Sequence, residues 1–440
     1  MFSLIKVSIF VIFMISLLIS GCGGDTEPSE RKTQGLIIPL SKGIAQDNGG
    51  TPWYAVWTIG RSNSTNGGGQ KLKMMMDTGT SNLWVSSSQC ENSGCATHNR
   101  YDMNNSTTWK SGVEYPSVFS QQLGSWGRFL FNYGIDEWFV DAVKFRQNLL
   151  IPQEFNRDEA FTSSGIAVSD IDFQMAVELI NGEVNGYFNR NWDQLVCDGG
   201  IGFPLFANPN VSSSLFLDEM MSQGLIERRI LAFWTDPDLK RGELFIGGWN
   251  PALVNLENFN QLNVNDVGRK SNGWIVNLDG FKVGEKNIDL PARDGVSPNL
   301  QLDTGSSRFK GDPDYINMIV DAITSKAGSG TIVYDENKLD NYPDLTISLN
   351  GVDYRLTARQ YFQRFFSYDP KTNEGQVYWK LAFHPLEGLD GILLVGSILL
   401  DTLYSVYIYP NALQNDEHMI YLGKYNTQYI EIPEMMDDKK

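Results

Sequence analysis

Apolar and polar positions along this chain fall into two regimes. Val7 to Ser20 is a predominantly apolar run behind the charge of Lys6, and Gly23 to Gly50 is polar and Gly-rich with one apolar island at Leu36 to Leu40. Beyond Thr51 the apolar residues come in short runs of β type, broken by Gly, Asn and Asp. Stretches with helical period are few, and Leu215 to Gly224 and Tyr315 to Thr324 are the clearest. The pattern predicts an all-β protein behind a separate leader.

The apolar run of the leader has 14 residues, short of the roughly 20 that a helix needs to cross a bilayer core, so it reads as a targeting segment. It ends Leu18-Ile19-Ser20-Gly21-Cys22, which is similar to the lipobox of bacterial lipoproteins. That similarity implies a signal peptide over 1–22, lipidation of Cys22, and a lipid-anchored protein of the cell envelope, on the outer membrane or the periplasmic or extracellular face. A plain secretory signal cut near Gly21 is the alternative. Residues 23–50 then read as a tether, with Leu36 to Leu40 adding an edge strand to the central sheet or, less in keeping with its length, blocking a cleft. Secretion permits disulfides. With Cys22 lipidated, Cys90 and Cys95 close a small loop in CENSGC, and Cys197 is left as a single, buried and inert thiol.

Within the β-rich region one pattern occurs twice. Met74-Met75-Met76 leads into Asp77-Thr78-Gly79-Thr80-Ser81, and Leu300-Gln301-Leu302 leads into Asp303-Thr304-Gly305-Ser306-Ser307, 226 positions later. One Asp-Thr-Gly is an ordinary turn. Each copy here is also followed by an apolar run closed by Gly, at Asp198 to Phe203 and at Gly391 to Ser397. Each half therefore reads as a strand, an Asp-bearing turn and a returning strand.

This duplicated arrangement resembles the pepsin-like aspartic proteases over roughly residues 51 to 425. Supporting segments follow in the family's order: Trp53 to Gly60 before the first turn, Cys90 to Trp109 with the small disulfide loop Cys90–Cys95, Ser213 to Trp234, GELFIGG at Gly242 to Gly248, Asn272-Gly273-Trp274, and Tyr342 to Val352. The resemblance implies an all-β bilobal fold, with lobes over 51–250 and 251–430 related by a pseudo-twofold axis. Asp77 and Asp303 would be the catalytic pair, braced by Thr78 and Thr304. Gly79 and Gly305 would let backbone N–H groups approach the carboxylates, and Thr80 and Ser306 would set hydroxyls beside their outer oxygens. The implied activity is hydrolysis of polypeptides at acidic pH by a monomer without cofactor or metal. A catalytically silent binding or inhibitory protein on the same scaffold is the alternative, weakened by two intact motifs.

Two places depart from the family pattern. The substrate-covering flap should carry Tyr-Gly. Tyr133-Gly134 supplies it in a hairpin a few residues short, with Trp84 as the tyrosine's partner; a second register puts Gly124 to Gly127 at the tip and Gln121 where the tyrosine belongs. Trp84 is equally explicable as core. The N-terminal stretch is also too short and too weakly basic for a cleft-filling propeptide, so no zymogen stage is expected.

Composition narrows the partners. The chain of 440 residues is 42% hydrophobic and carries 35 Lys and Arg against 52 Asp and Glu, for a net charge of −17. No concentrated basic face is available for a nucleic acid. Only His98, His384 and His418 are present, far apart, so a His-based metal site or a Ser-His-Asp engine has little material, while paired carboxylates need no imidazole.

Overall fold

The computed structural model describes residues 32–42 and 52–425, apart from 63–67, 113–118, 124–126, 149–155, 161–164, 181–182, 185–186, 189–194, 209–213, 239, 370–373 and 414. The leader with Cys22 lies outside the described residues. Strands dominate, as the short apolar runs predict. In the first half they are β1 (Lys32–Lys42), β2 (Trp53–Ile59), β3 (Gln70–Asp77), β4 (Leu83–Ser86), β5 (Phe119–Leu123), β6 (Gly127–Val140), β7 (Val143–Asn148), β8 (Ile166–Ile180) and β9 (Gly199–Gly202). Then come helix α1 (Phe216–Ser222) and strands β10 (Ile230–Asp236) and β11 (Arg241–Ile246).

The second half continues with β12 (Asn260–Asn263), β13 (Ile275–Asn277), β14 (Asn299–Leu302), β15 (Phe309–Gly311), helix α2 (Pro313–Ala327), β16 (Phe362–Asp369), β17 (Glu374–Leu381), β18 (Phe383–Pro385) and β19 (Ile392–Val395). Helix α3 (Ser397–Leu400), β20 (Tyr404–Ile408) and β21 (Met419–Gly423) end it. The main sheet runs β12-β21-β20-β10-β11-β1-β2-β3-β9-β4-β8-β6 and so draws strands from both ends of the chain. A second sheet, β13-β14-β19-β15-β18, carries the second Asp-Thr-Gly copy. This is the pepsin-like, mostly β architecture.

Local sequence accounts for the elements. In β2, Trp53, Ala55, Trp57 and Ile59 alternate inward, the period of a half-buried strand. β14 and β19 are covered on both faces and read as continuous apolar or amide runs, NLQL and ILLV, with every residue buried. The first core centres on Trp57, which meets Trp138 at 6.0 Å and Phe216 at 5.5 Å between ring centroids. Helix α2 is longer than the predicted Tyr315 to Thr324 because its caps lie further out. Asp312 accepts from Asp314 N–H, and Gly328 ends the helix in the left-handed region at φ 62°.

The N-terminal strand is the first correction. β1 is not an edge strand: it pairs with β11 over Leu36–Ser41, with β7 over Lys32–Ile37, and with β2 at Ser41 and Lys42. Leu36, Ile38 and Leu40 are buried, which is why the apolar island sits inside the sheet. The segment assigned to the tether is thus structural from Lys32 to Lys42.

Candidate active site

Each Asp-Thr-Gly copy sits at the end of a strand covered by the same three-strand unit. β9 runs parallel to β3 with Gly202 opposite Asp77, and antiparallel to β4 with Gly200 opposite Trp84. In the second half β19 runs parallel to β14 with Val395 opposite Leu302, and antiparallel to β15 with Leu394 opposite Lys310. The returning strands inferred from sequence are these two central strands. They hold each turn from both sides, so the carboxylates project from rigid backbone.

The two turns meet. Thr78 N–H donates to Thr304 Oγ1 at 3.0 Å and Thr304 N–H to Thr78 Oγ1 at 3.0 Å. The hydroxyls then donate onward, Thr78 to the Leu302 carbonyl at 3.0 Å and Thr304 to that of Met76 at 2.7 Å. All four groups are buried, where such bonds are costly to leave unmade. Within each turn Gly79 N–H donates to Asp77 Oδ1 at 2.6 Å, and Gly305 N–H to Asp303 Oδ1 at 2.9 Å.

The glycines are required by the approach of the opposite carboxylate. A Cβ on Gly305 would lie 2.2 Å from Asp77 Cγ, and one on Gly79 would lie 2.4 Å from Asp303 Cγ. No side chain fits either place. The same contacts place the two carboxylates side by side across the turns, 4% and 8% exposed. Burial raises both above the ordinary aspartate range. Asp77 is held well up, next by the charge of Asp303, and is eased slightly by the Gly79 N–H and by Lys310. Asp303 is drawn back down by Lys310, by its bond with Asp77 and by the Gly305 and Ser306 N–H groups. A pair so placed cannot readily ionise twice, so it shares one proton and one negative charge and titrates as a unit.

Three sequence expectations change here. Thr80 does not set its hydroxyl beside a carboxylate: Oγ1 bonds the Asn82 side chain and accepts from Asn82 N–H, both at 3.3 Å, as an ordinary turn cap. Ser306 Oγ is buried with no hydrogen-bond partner among the described residues, so it too makes no bond to Asp303. Tyr133 is not at a hairpin tip. The hairpin β5–β6 closes with Leu123 opposite Gly127, and Tyr133 lies well down β6, buried and paired with Gln174 of β8. The long β6–β8 ladder sets that register, with Phe129, Phe131 and Tyr133 alternating inward. Gln121, which the second register puts in the tyrosine's place, lies in β5 opposite Phe129, and the tip of that register, at 124–126, lies outside the described residues.

Trp84 is core as well as neighbour to the site. It is fully buried, packs on Phe129 and Phe131 at 5.5 and 6.0 Å, and stands in the same cross-strand row as Gln174 and Tyr133. The disulfide Cys90–Cys95 forms and packs in this cluster. Cys197 is buried, and burial foremost, then the charge of Asp198, pushes its thiol pKa far up, the state of an unreactive thiol. Lys310, whose charge acts on both carboxylates, carries no motif signal of its own; its position past Ser307 matches that of Trp84 past Ser81.

Sequence comparison agrees with this geometry. The eukaryotic aspartyl protease family matches residues 63–124 and 158–415, and the chain belongs to that family. The interruption at 125–157 falls on β6 and β7, beside the departing hairpin. Mouse cathepsin E is 26% identical over 349 residues, covering 77% of this chain and 74% of that protein. Renin of Echis ocellatus is 26% identical over 338 residues (76% and 72%), and gastricsin of Oryctolagus cuniculus 24% over 349 (78% and 76%).

Proposed function

We propose that this protein is an aspartic endopeptidase that hydrolyses peptide bonds through water activated between Asp77 and Asp303, at acidic pH. The observation that carries the reading is the reciprocal Thr78–Thr304 brace, which fixes two buried carboxylates against each other's turns. In the singly protonated pair, the ionised carboxylate takes a proton from water as the water oxygen attacks the substrate carbonyl, and the protonated one gives its proton to the carbonyl oxygen. The resulting diol collapses as a proton passes to the leaving nitrogen, which breaks the C–N bond and restores the pair. Acidic conditions follow from the need to keep one proton on the pair.

Polypeptides are the substrates, taken as extended strands with large apolar residues flanking the scissile bond. Support for anchorage comes from the segment ending Gly21-Cys22, which we read as a lipoprotein signal that tethers the enzyme to a bacterial envelope. β1 is buried in the sheet rather than laid across the Asp pair, which favours a chain active without removal of a propeptide.

The test is cleavage of an unfolded protein between about pH 3 and 6, with and without pepstatin. Pepstatin-sensitive cleavage that disappears in Asp77→Ala and in Asp303→Ala is expected. Unchanged cleavage in either variant overturns the assignment, and a folded wild type that cleaves nothing supports the silent scaffold instead.

A further inference from the structure

Seven residues after Asp77 stands Trp84, and seven residues after Asp303 stands Lys310. Strand register makes the two positions equivalent: Trp84 lies opposite Gly200 and Lys310 opposite Leu394, each on the strand that flanks the central returning strand. An indole and an ammonium group thus occupy corresponding places around the Asp pair. On β15, Phe309 points into the hydrophobic core, where it stacks on Phe383 at 4.6 Å between ring centroids. Arg308 and Lys310 therefore share the opposite face.

The brace and the inward donors come in matched couples: Thr78 with Thr304, and the N–H of Gly79 with that of Gly305. Lys310 has no cationic counterpart in the first half. Its side chain is partly buried, where a charge is weakly screened, and it interacts electrostatically with both Asp303 and Asp77.

We propose that Lys310 is a positioning residue: a charge beside one Asp turn, where the other turn carries the indole of Trp84, that favours ionisation of the Asp pair and so sets the pH range over which the pair holds a single proton. This rests on the endopeptidase reading only for its effect on turnover; the shift in titration is a property of the folded chain.

Other charged and titratable groups surround the pair. Arg308, on the same strand, is engaged by Gln363 Oε1 at 2.8 Å and lies over the Phe365 ring. His384 of β18 pairs with Lys310 in register, and its imidazole is held low by burial, then by Arg308, Lys310 and Lys380 of β17. Cys197 and Tyr407, which feel Asp77 and Asp303, are both pushed up by burial and stay neutral in acid. Among the described residues, His384 beside Lys310 is a group that changes charge with pH, and a His384→Gln control separates it.

The experiment compares wild type, Lys310→Met, Lys310→Arg and His384→Gln as full chains. Carboxyl carbon-13 NMR titration of Asp77 and Asp303 reads the pair without turnover, and the pH profile of kcat/KM reads it with turnover. In Lys310→Met both carboxyl titrations and both limbs of the profile should move to higher pH. The value of kcat/KM at pH 3 should then fall about threefold or more. Lys310→Arg should restore the wild-type curves and His384→Gln should leave them in place. Lys310→Met curves that superimpose on wild type overturn the proposal. Should Lys310→Met not fold, Lys310→Gln gives the same reading. Titrations that move in a chain that cleaves nothing sustain the Lys310 assignment and overturn the protease reading alone.

Discussion

Thr78 and Thr304 each donate a backbone N–H to the other's side-chain oxygen at 3.0 Å, so each turn is completed by a residue from the opposite half of the chain. Neither turn has its own partner for these groups. The Asp pair exists as a pair only when both halves have folded and met.

Replacing Thr304 by Val removes one hydroxyl and leaves the Thr78 N–H buried without its acceptor. We expect a loss of about 2–4 kcal/mol in urea denaturation and loss of peptidase activity, with Thr304→Ser retaining most of both. Equal stabilities of Val and Ser variants would show that the brace contributes nothing.

Removing the charge conflict in the pair should stabilise the fold while abolishing activity. The folded pair holds a proton that the unfolded carboxylates have already lost above their ordinary range, so wild-type stability falls as pH rises through that window. Asp77→Asn lacks this penalty. Its thermal midpoint should exceed that of wild type at pH 7, and the gap should close toward pH 3; a lower midpoint at pH 7 would contradict the account.

Lys42 of β1 and Asp401, just past α3, form a buried ion pair at 2.6 Å, with Trp53 Nε1 at 2.7 Å and Thr235 Oγ1 at 3.3 Å on the other carboxylate oxygen. The N-terminal strand is thereby tied to the element that follows the second returning strand. Lys42→Met strands a buried carboxylate and should cost about 3–5 kcal/mol. The double variant Lys42→Met/Asp401→Leu should recover most of that loss, and a double variant no better than the single would argue against the pairing.

Acid tolerance should have two components of the same sign. His418 is buried among Trp274, Tyr409 and Phe206, with Nε2 3.0 Å from the Leu205 carbonyl, and burial holds its pKa down to about 4. Its neutral form is required by the fold, so stability is complete above the unfolded value and declines as pH falls from 6.5 toward about 4. Asp312 follows below that. Burial pushes it up, but Arg293 and the N–H groups of Gly391, Asp314 and Tyr315 outweigh this and hold it at about 2. The stability it contributes above the ordinary carboxyl range is lost as pH falls through about 2. Chemical denaturation at about pH 7, 4 and 2 should show His418→Phe flattening the first decline and Asp312→Asn the second; unchanged slopes would rule the assignments out.

Much of this protein was legible in its residues because it is written locally. An Asp-Thr-Gly turn after an apolar strand is set by neighbours within a few positions, and its repetition with a returning strand identified both halves and the carboxylates. The all-β class and the Cys90–Cys95 loop were equally local. Tyr133 is the opposite case. Its tyrosine-glycine pair reads as a flap in isolation, yet its place depends on pairing with Gln174 some forty positions away, and in a strand a shift of register changes which face and which height a side chain occupies. The island Leu36 to Leu40 likewise shows that it is buried but not between which strands, because its partners come from β7 and β11, more than a hundred residues on. The hydroxyls of Thr80 and Ser306 are placed by the packing of each turn rather than by their spacing from Asp. Lys310 is visible in the sequence as one more charged residue on a β strand. Its place beside the Asp303 turn comes from pairing with β18 and β19, more than seventy positions on, because the field at a buried site depends on distances through space that no spacing along the chain prescribes.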